Sequence, residues 1–410
     1  MKISPFRALR PQAQFAKLVA SRPYDVLNSA EAKKEAQGNP HSFLHITKSE
    51  IDLPASTDVH SAIVYEKAKE NLDAFIKRQV LFLESKPCYY IYELQMGEQA
   101  QTGLVCCSSV ADYENDLIKK HELTRPEKEK DRINHMKTTC AQTGNVFLAY
   151  RDHEEVNNII NKWKSNKSPI YNFTADDGVK HAIWVISDEA IINKLFKIFE
   201  EEIECTYIAD GHHRAASAAS VRYQLSDSPE AGSFLTTLFP AGQLQILPYN
   251  RVVKDLNGLD KKEFLSRTNK SFSYQQTEKA CQPEDEHNFG MYLDGEWYQL
   301  TALDGTFPTD PIGILDISIL QNNLLDPILG IHDQRTDSRI DFIGGIRGVQ
   351  ELERLVDSKE YAVAFSIYPV TMQQLFDIAD TENIMPPKST WFEPKLRDGL
   401  LTHILFPDNL

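Results

Sequence analysis

The stretch "CTYIADGHHRAASAAS", residues 205–220, joins an apolar run to small helix-forming residues through an aspartate, a glycine, two histidines and an arginine. A strand ending at Ala209, a turn at Asp210 and Gly211, and a helix opening near His212 would aim unpaired N–H groups and the positive end of the helix dipole outward. Such an end attracts anions. Gly211 lets a ligand approach the backbone, Asp210 can cap the helix, Arg214 supplies a forked donor for phosphate oxygens, and His212 and His213 complete the cradle. The two histidines do not make a zinc pair, because helical metal ligands sit three or four residues apart on one face. The plainer alternative is a helix capped by Asp210 with its histidines facing solvent.

Three other stretches carry residues of the same chemical types. "SRPYDVLN" puts Asp25 behind a proline-fixed turn, where it can accept a hydroxyl proton or hold a cation, or serve as a turn aspartate. "KKHELTRPEK" carries His121 and Glu122; position 125 is arginine, so this is not the HExxH of a zinc protease, and Glu122 is either a general base or part of a solvated helical face. "MPPKSTWFEPKL" offers Lys388, Ser389, Thr390 and Lys395 as phosphate donors, with Trp391 and Phe392 as anchors; the alternative is a loop docked by its aromatics. The glycines of "DFIGGIRGV", Gly344 and Gly345, fit neither nucleotide-loop spacing and read as a turn.

Elements that would position these residues alternate between strand and helix without internal repeats. Asn28 and Ser29 signal a helix start that stops at a glycine, and "SAIVYEKAKENLDAFIKRQVLFLES" reads as a helix carrying Ile63, Ala74, Phe75, Val80 and Leu81 at helical spacing. "CYYIYELQM" and "TGLVCCSSV" read as a hairpin, and the charged block from Ala111 to Gly144 as helical with a break near Pro126. Strands follow at "NVFLAY" and "HAIWVIS", a helix at "DEAIINKLFKIFEEE", strand at "QLQILPYNRVV" and a hairpin through the Asp-Gly turn of "FGMYLDGEWYQLTAL". The fold class is therefore α/β with a mixed sheet. At 410 residues the chain is expected to be one family-length unit or two lobes, with residues 200–255 as the phosphate-cradle core.

Charge bounds the partners. With 44 basic and 59 acidic residues the formal charge is −15, and no lysine or arginine run offers a footprint for a phosphate backbone. Nucleic acid and anionic membrane are disfavoured as partners. Six scattered cysteines without a CxxC pair read as reduced core thiols, and "MKISPFRALRPQ" lacks an apolar signal core, so a soluble cytoplasmic protein is expected.

"ADGHHR", with "LPYNRVV", "MPPKSTWFEPKLRDGL", "SRPYDVLN" and "HELT", resembles the signature of a large conserved domain-of-unknown-function family, over about Ile3 to Leu400. The turn also resembles the phosphate-binding box of the ParB/sulfiredoxin-like fold, which includes ParB proteins, sulfiredoxins and free-serine kinases. Sulfiredoxins carry a cysteine nucleophile in the box where this chain has His212 and His213. ParB-type DNA work needs a helix-turn-helix and a basic face. The family commonly reads Leu-Pro-Thr-His-Arg after the cradle; here Tyr249 and Asn250 precede Arg251, so a catalytic histidine at position 250 is excluded and Arg251 stays a candidate. The resemblance implies a phosphotransferase between a nucleotide, ATP or ADP, and a free hydroxyl amino acid, serine or phosphoserine. Residues Asp210 to Arg214 would cradle phosphates, and a carboxylate among Asp25, Glu122 and Asp210 would orient or deprotonate the hydroxyl. Mg2+ would assist, with Asp210 as its ligand. A non-catalytic nucleotide-binding regulator is the alternative. The segments around Asp25, Asp210, Arg251 and Lys388 are expected to meet.

Overall fold

Alternating apolar side chains in "YYIYELQM" and the run "TGLVCCSS" pair as an antiparallel hairpin, Tyr89–Met96 with Gln99–Ser109, turning at Gly97. In the computed structural model, which describes residues 1–409, this hairpin lies within a nine-stranded mixed sheet. The strand order is Ile118–Lys119, Thr206–Asp210, Val146–Tyr150, Ser233–Pro240, Gln99–Ser109, Tyr89–Met96, Lys180–Ile186 and Tyr171–Thr174, with Ile3–Ser4 added alongside Gln99–Ser109. Val146–Tyr150 is buried throughout and pairs parallel to Ser233–Pro240 and antiparallel to Thr206–Asp210. A strand buried on both faces has to be nearly all apolar, as "VFLAY" is.

These strands belong to one of two compact units, built from Met1–Leu244 and the C-terminal stretch from Pro394. Its core joins Val146, Leu148, Ile208 and Leu238 of the sheet to Ala215, Ala218 and Val221 of the helix His212–Gln224. Small residues on that helix let it lie close to the strands, as its alanine-rich sequence requires. A second, four-stranded sheet places Thr402–Ile404 between Ala8–Pro11 and Ala141–Gln142, with Leu81–Leu83 at its edge.

The other unit, Gln245–Glu393, is built on a six-stranded antiparallel sheet ordered Phe272–Thr277, Glu296–Ala302, Asn288–Leu293, Val363–Ile367, Tyr249–Val253 and Ile340–Gly344. The helix Val349–Asp357 puts Leu352, Leu355 and Val356 onto Val252, Tyr292, Trp297 and Ala364. A two-stranded ribbon pairs Ile246–Leu247 with Trp391–Phe392. The stretch 200–255 is thus divided at Leu244 between the two units.

The mixed α/β class stands. Asn28 caps the helix Ser29–Ala36 through a reciprocal box with Glu31, and Asp294 (φ +53°) with Gly295 (φ +81°) turns the hairpin Asn288–Leu293/Glu296–Ala302. The helix of residues 61–85 is a shorter one: it ends at Lys77, Gln79 turns with φ +55°, and Val80 and Leu81 face the core as the chain enters a strand. The break near Pro126 is wider than expected. It spans from Asn115 to Arg125 and includes the strand Ile118–Lys119, after which Pro126 takes the first helical position, where its missing N–H costs nothing. The helix Glu154–Asn166 and the strand Tyr171–Thr174 are further elements. All six cysteines are unpaired, and among the described residues no helix is long and apolar enough to cross a membrane.

Candidate functional site

The strand Thr206–Asp210 runs through Asp210, and Gly211 (φ +102°, ψ +30°) turns the chain into the 13-residue helix His212–Gln224. That left-handed conformation excludes ordinary side chains. Space excludes them too, since a Cβ on Gly211 would stand 3.2 Å from Cζ and Nε of Arg214. The guanidinium therefore folds back over its own helix start. Gly144 meets it from another strand end, where a Cβ would stand 3.0 Å from Arg214 Cδ.

Asp210 does not cap this helix. Gly211 occupies the cap position and no side chain bonds the first turn, because the Asp210 carboxylate is taken by cations. Its Oδ2 lies 3.0 Å from Lys395 Nζ and 3.5 Å from Arg214 Nη2. Asp25, in the short turn Tyr24–Val26 behind Pro23, accepts from the same Nη2 at 3.1 Å. Arg214 is 7% exposed and spends Nη1 on the Asn145 carbonyl, whereas Asp25 and Asp210 keep 31% and 27% of their side-chain surface. The result is a buried guanidinium shared by two carboxylates that reach water.

Electrostatics follow from that geometry. Burial opposes ionisation of Asp210, but Lys395 and Arg214 outweigh it and hold the carboxyl well below the usual range. Burial likewise opposes charge on Arg214, and Asp25 and Asp210 reverse the balance, raising its pKa. Asp398 behaves oppositely. It is 3% exposed, its backbone pairs with Ser21, and burial pushes its carboxyl up to about 8 despite Arg214 nearby. At neutral pH it holds its proton.

The histidines brace a loop. His212 Nε2 accepts from the His121 backbone N–H at 3.4 Å, and His213 Nε2 accepts from that of Arg125 at 3.0 Å. His121 and His212 meet edge to face at 4.5 Å. Burial drives His121 down to about 4 and His212 far below its usual value, and lowers His213 as well, so the first two are uncharged at neutral pH. Glu122, on the braced loop and half exposed, has Oε2 3.9 Å from His212 Nδ1.

In the unit Gln245–Glu393, Arg251 is fully buried. Its Nε donates to Gln334 at 3.0 Å, Nη1 to the Tyr249 carbonyl and Nη2 to the Lys388 carbonyl at 3.1 Å, with Phe342 4.8 Å from the guanidinium carbon. Burial pulls its pKa down to about 9, still above neutral. Lys388 is exposed with φ +58°, and Ser389 spends its hydroxyl on the Pro386 carbonyl. Trp391 packs edge-on to Tyr249 at 4.9 Å and covers Gly344, where a Cβ would be 3.1 Å from the indole. Thr390 follows Ser389 at the start of this ribbon. Of the expected residues, then, Asp25, Asp210, Gly211, Arg214 and Lys395 meet in one unit, with Glu122, His212 and His213 at the same helix end, and Arg251, Lys388 and Ser389 meet in the other.

Two residues of the first cluster escape sequence reasoning: Asn145, whose carbonyl holds Arg214, and Asp398, which lies inside the quoted "KLRDGL" without being singled out. Among the described residues no three His, Cys, Asp or Glu side chains gather as a metal cluster. Asp25 and Asp210 are nevertheless hard oxygen donors open to water, a pair suited to Mg2+ that completes its shell with phosphate and water.

Residues 3–318 match the family described as protein of unknown function (DUF1015). The chain belongs to this family. The DUF1015 match takes in Asp25, Glu122, residues 210–214 and Arg251, and ends before Lys388 and Lys395. No curated protein matches the chain. It is similar to a solved free serine kinase mutant in complex with ADP at 12% identity and a TM-score of 0.38, over 75% of this chain and 93% of that one. SbnI with C-terminal truncation from Staphylococcus aureus is similar at 9% identity and a TM-score of 0.40, over 74% and 88%. A conserved hypothetical protein from Pyrococcus furiosus is similar at 12% and 0.36, over 72% and 94%.

Proposed function

We propose that this protein transfers a phosphoryl group between a nucleotide and the hydroxyl of a free amino acid, with serine as the acceptor. The observation that carries this reading is the Asp210–Gly211–His212 turn. It opens a long helix toward two water-reaching carboxylates paired with Arg214, one of them also with Lys395. Phosphoryl transfer depends mainly on positioning and charge neutralisation, with a base for the accepting hydroxyl. The first-turn N–H groups and Lys395 offer positive potential to phosphate oxygens. Asp25, paired with one cation where Asp210 has two, is the freer proton acceptor, and Glu122 is the other carboxylate at this helix end. Mg2+ would be held by Asp25 and Asp210 together with phosphate oxygens, and would neutralise phosphate charge. Lys388, Ser389, Thr390 and Arg251 lie in the other unit, where Arg251 holds the Lys388 backbone.

Both directions conserve the phosphoryl group: serine and ATP give phosphoserine and ADP, and phosphoserine and ADP give serine and ATP. Incubating the purified protein with phosphoserine, ADP and Mg2+ should release serine and ATP in equal amounts. Arg214 also supports a second reading, a non-catalytic nucleotide switch. Its Nη1 and Nη2 are committed to Asn145, Asp25 and Asp210, so a phosphate arriving at them would have to draw the arginine away and loosen the turn. Nucleotide binding with a conformational change and no serine release would favour the switch.

A further inference from the structure

Beside the cluster on Arg214 lies a cavity of about 30 Å³ within the first unit, whose wall includes Tyr24, Arg132, His135, Gln142, Thr143 and Arg214. Two guanidinium groups line it and no aspartate or glutamate does. Arg132 gives Nε and Nη2 to Asp131 at 2.9 and 2.6 Å and stacks 3.9 Å over the Tyr24 ring. Its Nη1 has no hydrogen-bond partner among the described residues, and neither has the hydroxyl of Thr143 or of Tyr24. Nε of Arg214 is buried and unpartnered. Gln142 is already spent on Leu235, Ser233 and His403. His135 is bound to the Ile46 carbonyl and kept neutral by burial. The groups left open are therefore one N–H edge of each guanidinium and two hydroxyls, a donor set that asks for an oxyanion.

A cavity of this volume accommodates about two water-sized groups, room for the two oxygens of a carboxylate. Tyr24 adjoins Asp25 in the chain and Arg214 holds Asp25, so whatever extends from a carboxylate bound here lies next to the freer of the two candidate bases. We propose that this pocket receives the α-carboxylate of the acceptor on Arg132, Thr143 and Tyr24. The substrate class is then free α-amino acids bearing a short hydroxylated side chain, and excludes amino alcohols and serine within a peptide chain. The inference rests on the phosphotransferase reading and adds the recognition of the acceptor to it.

Ethanolamine, which keeps the hydroxyl and amine of serine but lacks the carboxylate, tests it directly against serine in the wild-type protein. Serine should be used with an apparent KM at least about tenfold lower, the worth of one charge-assisted hydrogen bond. Arg132→Lys keeps the charge and loses the open Nη1 donor, and Thr143→Val keeps the shape. Both should raise the KM for serine, Arg132→Lys by about tenfold or more, with kcat and nucleotide affinity nearly unchanged. Equal use of ethanolamine, or a serine KM unmoved by Arg132→Lys, overturns the proposal and leaves phosphotransfer intact. If Arg132→Lys fails to fold, Thr143→Val and the ethanolamine comparison decide. If the wild type turns over neither compound, the phosphotransferase reading fails and calorimetry tests the pocket alone. Serine heat present in the wild type and lost in Thr143→Val upholds it; no serine heat, or tighter binding of inorganic phosphate that competes with serine, overturns it.

Discussion

Arg214 and Arg251 are both buried arginines, one in each unit, and their surroundings differ in kind. Arg214 faces two carboxylates that reach water; Arg251 faces three backbone carbonyls, a glutamine and a phenyl ring, with no acid among its hydrogen-bond partners. A guanidinium held by ionised groups is exchangeable, because a ligand's phosphate or carboxylate can replace either partner. One held by neutral backbone oxygens fixes a loop, here the carbonyl of Lys388. The first arrangement suits a site and the second suits the scaffold of a site.

Removing each cation is the sharpest way to break that contrast. Arg214→Met strips the shared partner from Asp25 and Asp210 and should cost about 3 kcal/mol of unfolding free energy, the low end for a buried pair because both carboxylates keep some water. Urea denaturation measures it. In turnover, Asp210→Asn should lower the rate of serine release from phosphoserine and ADP by about a hundredfold, more than Asp25→Asn does. A near-normal Asp210→Asn enzyme would leave Asp210 as a structural partner of Lys395. Arg251→Met removes a charge without stranding an anion and leaves only carbonyls unbonded, so about 1–2 kcal/mol is expected in the same denaturation experiment. An equal cost at both arginines would refute the comparison.

A separate effect concerns pH. Asp398 is protonated up to about pH 8 when folded, whereas in the unfolded chain it ionises near about 4. The folded state binds the extra proton across that window, so stability from this group falls as pH rises from 4 to 8. Arg214, Asp25 and Arg132 are the charges that face it. Asp398→Asn should match wild type at pH 4 and become progressively the more stable of the two toward pH 8, read as melting temperature against pH.

Local features were legible in the sequence where one short segment carries the whole signal. The Asn28 box, the Asp294–Gly295 hairpin and the strand–glycine–helix at 206–224 all qualify. Even there Asp210 reads as a cap, because its competing partner Lys395 lies 185 residues away, beyond any periodicity. Val80 and Leu81 read as helical because apolar residues serve helix and strand alike, and only the turn at Gln79 separates the two. Arg132 is invisible for a similar reason: it sits in a charged helix, and nothing local marks it as facing Tyr24 in place of solvent. The strand–glycine–helix turn was readable, but the charges packed against it were not.

The unit Gln245–Glu393 interrupts the first unit in the chain, and that has a consequence for biosynthesis. Lys395, Asp398 and the strand Thr402–Ile404, which fills the gap between Ala8–Pro11 and Ala141–Gln142, leave the ribosome after the whole interrupting unit. Domains are generally completed as they emerge, yet here the larger unit must wait, with one sheet open and Asp210 lacking its lysine, until residues 394–404 are made. A nascent chain that stops before residue 395 therefore leaves that sheet open and Asp210 without Lys395.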